Sequence, residues 1–172
     1  KIDVIINNAG VGYRSFVELS EDKKIDTIVD INWLGVVKVC RAFIPVFREQ
    51  KSGLFINISS IAGLVNLPLG SFYHSTKQAV ESFSECMAYE LYDLNIKVCT
   101  VQFGNAPTSF QKNVTKCPAT SVKSYNDLMK KVKMQRLLGQ KTASCFQRCV
   151  GMDAINSVDS VTFEMDKKLG TN

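Results

Sequence analysis

Tyr73 and Lys77 stand four residues apart in "FYHSTKQAV", so on a helix they share one face. A tyrosine ordinarily loses its proton near pH ~10 and is a poor acid or base at neutrality. An ammonium one helical turn away favours the phenolate and lowers that value, which makes the pair a candidate acid/base. A nearby hydroxyl, Ser60, can hold a carbonyl or alcohol oxygen while Tyr73 passes it a proton. His74, the chain's one histidine, lies about 100° around the helix from Tyr73 and points elsewhere. The six cysteines show no CxxC and no His/Cys set with metal-ligand spacing; no metal is expected, and they read as reduced thiols of a cytoplasmic protein. A Ser/His hydrolase is excluded, because there is no G-x-S-x-G elbow and the single histidine falls inside the Tyr/Lys motif.

The elements that must position these residues follow from the hydrophobic pattern. "DVIINNAG" reads as a buried strand entering a tight loop, "SGLFINISS" as a second strand and "NIKVCTVQFG" as a third. Ser20 is the expected N-cap of a long helix running to about Gln50, with Asn32 the polar exception on its apolar stripe. A further helix follows the Gly/Pro-bounded "GLVNLPLG", with Tyr73, Lys77, Val80, Ser84, Met87 and Leu91 on one face. Strands separated by helical crossovers predict a parallel sheet of the α/β class, and in such a sheet ligands bind at the carboxyl ends of the strands. Asn8, Ala9 and Gly10, then Ser59 and Ser60, then Gly104 to Thr108 fall at those ends. Beyond Thr108 an amphipathic helix over 122–138 is expected, then an irregular stretch with a short helix near Cys145 and a strand at "VTFEM".

With 172 residues, 45% of them hydrophobic, the chain has the length and composition of one domain with a real core. The net charge of +5, much of it in "MKKVKMQRLLGQK", reads as a solvated helix face; no basic and aromatic interleaving points to nucleic acid. Apolar runs are broken well before about 18 residues, so no membrane span is expected.

Taken together the motifs resemble those of the short-chain dehydrogenase/reductase family. "NNAG" at 7–10, Asn32 in "DINWLG", "NISSIAG" at 57–63, "YHSTK" at 73–77 and "FGNAPT" at 103–108 occur in that family's order, and Ser60 stands thirteen residues before Tyr73. The resemblance covers about residues 1–110 and implies a Rossmann-like doubly wound sheet and an NAD(P)-dependent oxidoreductase, with NADP placed ahead of NAD. It implies Tyr73 as general acid/base, Lys77 as its pKa-lowering partner and ribose contact, and Ser60 rather than Ser59 as the group that positions substrate. It further implies that Asn32, at a local break in its helix, holds a water that links Lys77 to solvent. Asn8, Ala9 and Gly10 would lie against the cofactor, with Gly104 kept from the family's loop and Thr108 at the nicotinamide carboxamide. The substrate it implies is a small-molecule carbonyl or secondary alcohol, of the bulky apolar steroid or retinoid kind, and the protein a homo-oligomer.

Three departures from the family set a second expectation. The chain opens at what would be the fourth strand, with no glycine-rich TGxxxGIG turn for the cofactor's adenosine half. Phe103 stands where the family usually has proline, and 111–172 lacks its closing strand; that stretch is expected as a substrate-loop and helical region of the same single domain. The alternative to an enzyme is a truncated, non-catalytic relative that serves in binding or assembly.

Overall fold

The structure, a computed structural model, describes residues 1–104, 109–117 and 120–133. The chain divides into two compact units, Lys1–Cys117 and Pro118–Asn172. In the first unit the described elements run β1 (Val4–Asn7), β2 (Tyr13–Arg14), α1 (Asp22–Val29), a π-helical segment (Asp30–Leu34), α2 (Gly35–Gln50), β3 (Gly53–Ile58), a 3-10 turn (Ile61–Gly63) and α3 (Ser71–Leu91). Then follow a 3-10 turn (Tyr92–Leu94), β4 (Ile96–Val101), a third 3-10 turn (Ser109–Asn113) and β5 (Thr115–Lys116).

The expected parallel sheet forms, in the order β1-β3-β4. Val4 lies opposite Leu54 and Asn7 opposite Asn57, while Gly53 to Ile58 run alongside Ile96 to Val101. This register brings the ends of all three strands to one edge. Beneath the sheet, Phe47 of α2 meets Phe55 of β3 with ring centroids 4.9 Å apart, among Val36, Cys40, Val80, Met87, Leu91, Ile96 and Val98. Each such side chain contributes roughly 1.5–3 kcal/mol on burial. Gly53 begins β3 because a Cβ there would come 2.2 Å from the Phe47 ring.

The long helix differs from expectation at its start. Glu21, not Ser20, is the N-cap, and the Ser20 hydroxyl donates back to the Phe16 carbonyl at 2.7 Å. It runs to Gln50 as expected, but through the π-helical segment centred on Asn32, after which the left-handed Lys51 (φ 55°) closes it. The two-residue parallel pair of β2 with β5, Arg14 opposite Lys116, was not legible from pattern. In the second unit a helix occupies 123–133, within the expected 122–138. The expected short helix near Cys145 and strand at "VTFEM" lie outside the described residues. Among the described residues no helix is long and apolar enough to cross a membrane, and no group of His, Cys, Asp and Glu could hold a metal ion.

Candidate active site

Residue by residue, the strand ends gather most of the expected groups. Asn7 ends β1 and donates through Nδ2 to Asn57 Oδ1 at 2.8 Å; Asn57 Nδ2 donates in turn to Ser84 Oγ at 2.8 Å. This buried amide ladder locks β1 and β3 to α3, at a depth where unpaired polar groups would cost about 1–3 kcal/mol each. Asn57 and Ser84 are functional supports that the motif reading passed over; the signal was an asparagine inside an otherwise apolar strand. Asn8, Ala9 and Gly10 follow at the exposed rim.

Asn32 is fully buried in the π-helical segment. Its Oδ1 accepts from the Val11 N–H at 2.8 Å, and its Nδ2 donates to the Val11 carbonyl at 2.9 Å and to Thr76 Oγ1 at 3.3 Å. The local break is as expected, but the side chain is committed to clamping the loop after β1.

Ser60 caps the 3-10 turn, its Oγ accepting from the Ala62 N–H at 3.1 Å and donating to the Phe103 carbonyl at 3.5 Å, and its side chain acts on Tyr73 in the direction that favours the phenolate. Ser59, beside it, is buried and turned away from solvent. Lys77 is also buried; its Nζ lies 6.0 Å from the Tyr73 ring centroid and donates to the Ile58 carbonyl at 2.7 Å. Burial lowers the lysine's pKa from 10.5 to about 8, against the opposing charge of Glu81. Tyr73 is raised above its ordinary value, again by burial, and opposed by Ser60 and by Arg14. Arg14 on β2, which the sequence reading missed, is a cation that favours the phenolate. Phe110, 5.8 Å from the Tyr73 ring, covers the tyrosine.

His74 does point away from the Tyr73/Lys77 face, but it is no bystander. It is buried with its Nδ1 3.0 Å from the Ala62 carbonyl, which requires a proton on that nitrogen, and its ring fills the space beside Gly70. It ties the Ser60 turn to α3. Gly104, at the start of the loop after β4, is exposed, with no described atom within 4 Å of where its Cβ would stand; Thr108 lies outside the described residues.

The residues present fit a nicotinamide-side cofactor contact. A Cβ on Gly10 would sit 3.5 Å from Asn32 Oδ1 and 3.9 Å from Lys77 Nζ, so the bare glycine keeps the space next to the ammonium free for a ligand.

The buried ammonium makes a stability prediction. Because the folded-state pKa of Lys77 lies below its unfolded value, the folded chain binds this proton less readily, so the lysine opposes folding at neutral pH and the opposition fades as pH rises from about 8 to 10.5. The full difference is on the order of 3 kcal/mol, less the hydrogen bond to Ile58. Lys77→Met is expected to raise unfolding stability at pH 7 by about 1–2 kcal/mol and to show no gain at pH 10.5. Urea denaturation at both pH values measures it; a loss at pH 7 contradicts the sign.

A parallel α/β sheet with this constellation at its strand ends defines a Rossmann-like dehydrogenase fold. The short chain dehydrogenase family matches over residues 1–118, and the chain belongs to that family. It is 42% identical over 113 residues to the 3-ketodihydrosphingosine reductase of Bacteroides thetaiotaomicron, covering 66% of this chain and 42% of that protein. The chain therefore spans less than half of that reductase's length. Among solved structures it resembles a short-chain dehydrogenase from Streptomyces avermitilis (TM-score 0.70, 26% identity, 97% of this chain and 66% of that one). It also resembles the 3-ketoacyl-(acyl-carrier-protein) reductase from Brucella melitensis complexed with NADH (TM-score 0.64, 29% identity, 66% of this chain and 49% of that one).

A second family, the 4-hydroxyphenylacetate 3-hydroxylase N terminal, matches over residues 74–172. Separately, 49 residues, 28% of this chain, are 78% identical to the 4-hydroxybutyryl-CoA dehydratase/vinylacetyl-CoA-Delta-isomerase of Clostridium aminobutyricum, of which they cover 10%.

Proposed function

We propose that residues 1–117 are the nicotinamide-side, catalytic part of an NAD(P)-dependent oxidoreductase acting on a carbonyl or secondary alcohol. The observation that carries this reading is Tyr73, acted on by the Ser60 side chain, beside a buried lysine at the carboxyl ends of parallel strands. When bound, the nicotinamide supplies or takes up a hydride. Ser60 holds the substrate oxygen, Tyr73 donates its phenolic proton to it, and Lys77 favours the phenolate that remains. Tyr73 suits proton donation, since burial keeps it protonated at neutrality.

The substrate class we favour is a ketone on a bulky apolar body. Ile61, Leu64, Val65 and Leu67 follow Ser60 as large exposed apolar side chains, and Phe103, equally exposed, is joined to Ile61 by a backbone bond of 3.0 Å. Such a rim rewards apolar surface with about 25 cal/mol per Å² buried. The cofactor is NADP in preference to NAD, and the free thiols of Cys40, Cys86, Cys99 and Cys117 suit a reducing compartment such as the cytoplasm.

The test supplies the protein with about millimolar NADPH or NADH, deuterated at the transferable position, and a series of ketones of increasing apolar bulk. Deuterium is expected on the carbinol carbon of the product, fastest for the bulkiest members. No label from either cofactor with any ketone defeats the reading.

A second reading, a non-catalytic binding or assembly module, is favoured by one observation: a second family, the 4-hydroxyphenylacetate 3-hydroxylase N terminal, matches over residues 74–172, beyond the end of the short chain dehydrogenase match. On this reading 118–172 is a segment of separate descent rather than a cover for the site in 1–117, and no deuterium transfer occurs.

A further inference from the structure

Glu81 follows Lys77 by four residues on α3, one turn further from the site. Its Oε2 is clamped by Thr100 Oγ1 at 2.8 Å and Gln102 Nε2 at 3.0 Å, both from the end of β4. Its Oε1 is buried and accepts no hydrogen bond, and so is the Oγ of Ser59, whose residue is 3% exposed. Gly63 sits against all of these: a Cβ there would lie 3.0 Å from both Glu81 Cγ and Ser59 Oγ, and 3.2 Å from the Lys77 carbonyl. The turn that carries Ser60 thus lies flush on the Lys77–Glu81 turn of α3, and dries it.

A buried ammonium and a half-buried carboxylate with one enclosed oxygen stand in complementary need. Lys77 has one carbonyl for its ammonium, and one oxygen of Glu81 has no donor. A buried charge without a partner is costly, and in a dried site the field of an opposite charge is strong enough to offset much of that cost without contact. We propose that Glu81 is a positioning residue of the site: held by Thr100 and Gln102, its carboxylate keeps the Lys77 ammonium charged beside the Ile58 carbonyl.

Burial acts to discharge Lys77, and Glu81 is the group that opposes it. Other titratable groups on the elements around α3 do not take that part. Arg14 on β2 acts on Tyr73; Asp30 in the π-helical segment and Lys97 on β4 are exposed; Cys99 on β4 is pushed towards its neutral form by burial. On α1 the buried residue is the apolar Ile28, with Asp22, Lys23 and Asp26 exposed and Lys24 partly so. On α3 itself, Tyr73 and His74 precede Lys77.

The inference rests on the proposed role of Lys77, but its test reads the ammonium without turnover, so the two fail separately. Trace acetylation of the whole protein with acetic anhydride, read peptide by peptide by mass spectrometry, reports each lysine's neutral fraction. Glu81→Gln is expected to speed labelling of Lys77 at pH 7 by at least about threefold, equivalent to about half a pKa unit, and to leave Lys97 unchanged. Glu81→Asp, which keeps the charge, is expected to stay within about twofold of the wild type. Unchanged Lys77 labelling in a folded Glu81→Gln protein overturns the proposal. If that variant is too unstable to label, the double variant with Lys77→Met decides: recovery of the fold once the ammonium is gone supports the proposal, and persistent unfolding overturns it.

Discussion

Tyr73→Phe is expected to lower the rate of hydride transfer by at least about 10²-fold, close to 3 kcal/mol of transition-state stabilisation, while cofactor affinity stays nearly intact. The substitution removes one hydroxyl and keeps the ring that packs 5.8 Å from Phe110 and 6.2 Å from the edge-on His74, so the fold has no reason to change. What is lost is the proton that Tyr73 passes to the substrate oxygen; the neighbouring His74 ring does not replace it, being committed to the Ala62 carbonyl. Single-turnover measurement at saturating cofactor isolates this step from binding. Turnover at the wild-type rate would remove Tyr73 from its role.

Residues 1–172 on their own are expected to self-associate through β1 and to bind NADPH or NADH no tighter than about millimolar. One side of β1 is paired with β3; among the described residues its other side has no partner strand, and on one face of the strand Val4 and Ile6 are 44% and 60% exposed. Behind the strand a hollow of about 390 Å³ is lined by Ile5, Ile31, Val36 and Val39 among others. An apolar, unpaired strand edge is a template for another chain, and one charge on it is the usual remedy. Ile6→Lys is therefore expected to shift dimers or larger particles towards monomer in light scattering. Weak cofactor binding follows from the residues available: Asn8, Ala9, Gly10, Tyr73 and Lys77 address the nicotinamide side, and the chain contains no glycine-rich turn for the pyrophosphate. The difference from a micromolar site is about 4 kcal/mol, well within the reach of calorimetric titration. A monodisperse wild-type monomer with micromolar affinity would contradict both parts.

From the sequence alone came the parallel α/β class, the three strands, the α3 face from Tyr73 to Leu91 and the meeting of Ser60 with Tyr73. These are short-range facts: period-2 and period-3.6 patterns, and motifs whose internal spacing sets geometry. The break at Asn32 was implied by the family resemblance, while the pattern itself showed only that a polar residue sits on an apolar stripe. What partners that residue was not legible: Val11 is reached only when the loop after β1 folds back over 21 residues.

The electrostatics were decided by tertiary structure. Spacing on one helix named Lys77 as the cation acting on Tyr73; Arg14, a further cation that favours the phenolate, is brought there by a two-residue pairing of Tyr13–Arg14 with Thr115–Lys116 across a hundred positions. Such a pairing has no periodicity to read. Burial, which raises Tyr73 and lowers Lys77, is likewise a property of what lies above a residue rather than of its neighbours in the chain. The same holds for Glu81: its place one turn from Lys77 was visible in "KQAVE", but its clamp by Thr100 and Gln102 and its closeness to Ser59 exist only because β4 and the Ser60 turn close over α3. Chain periodicity settles which face a side chain occupies; the charge it carries there depends on water, and water is excluded only by the assembled fold.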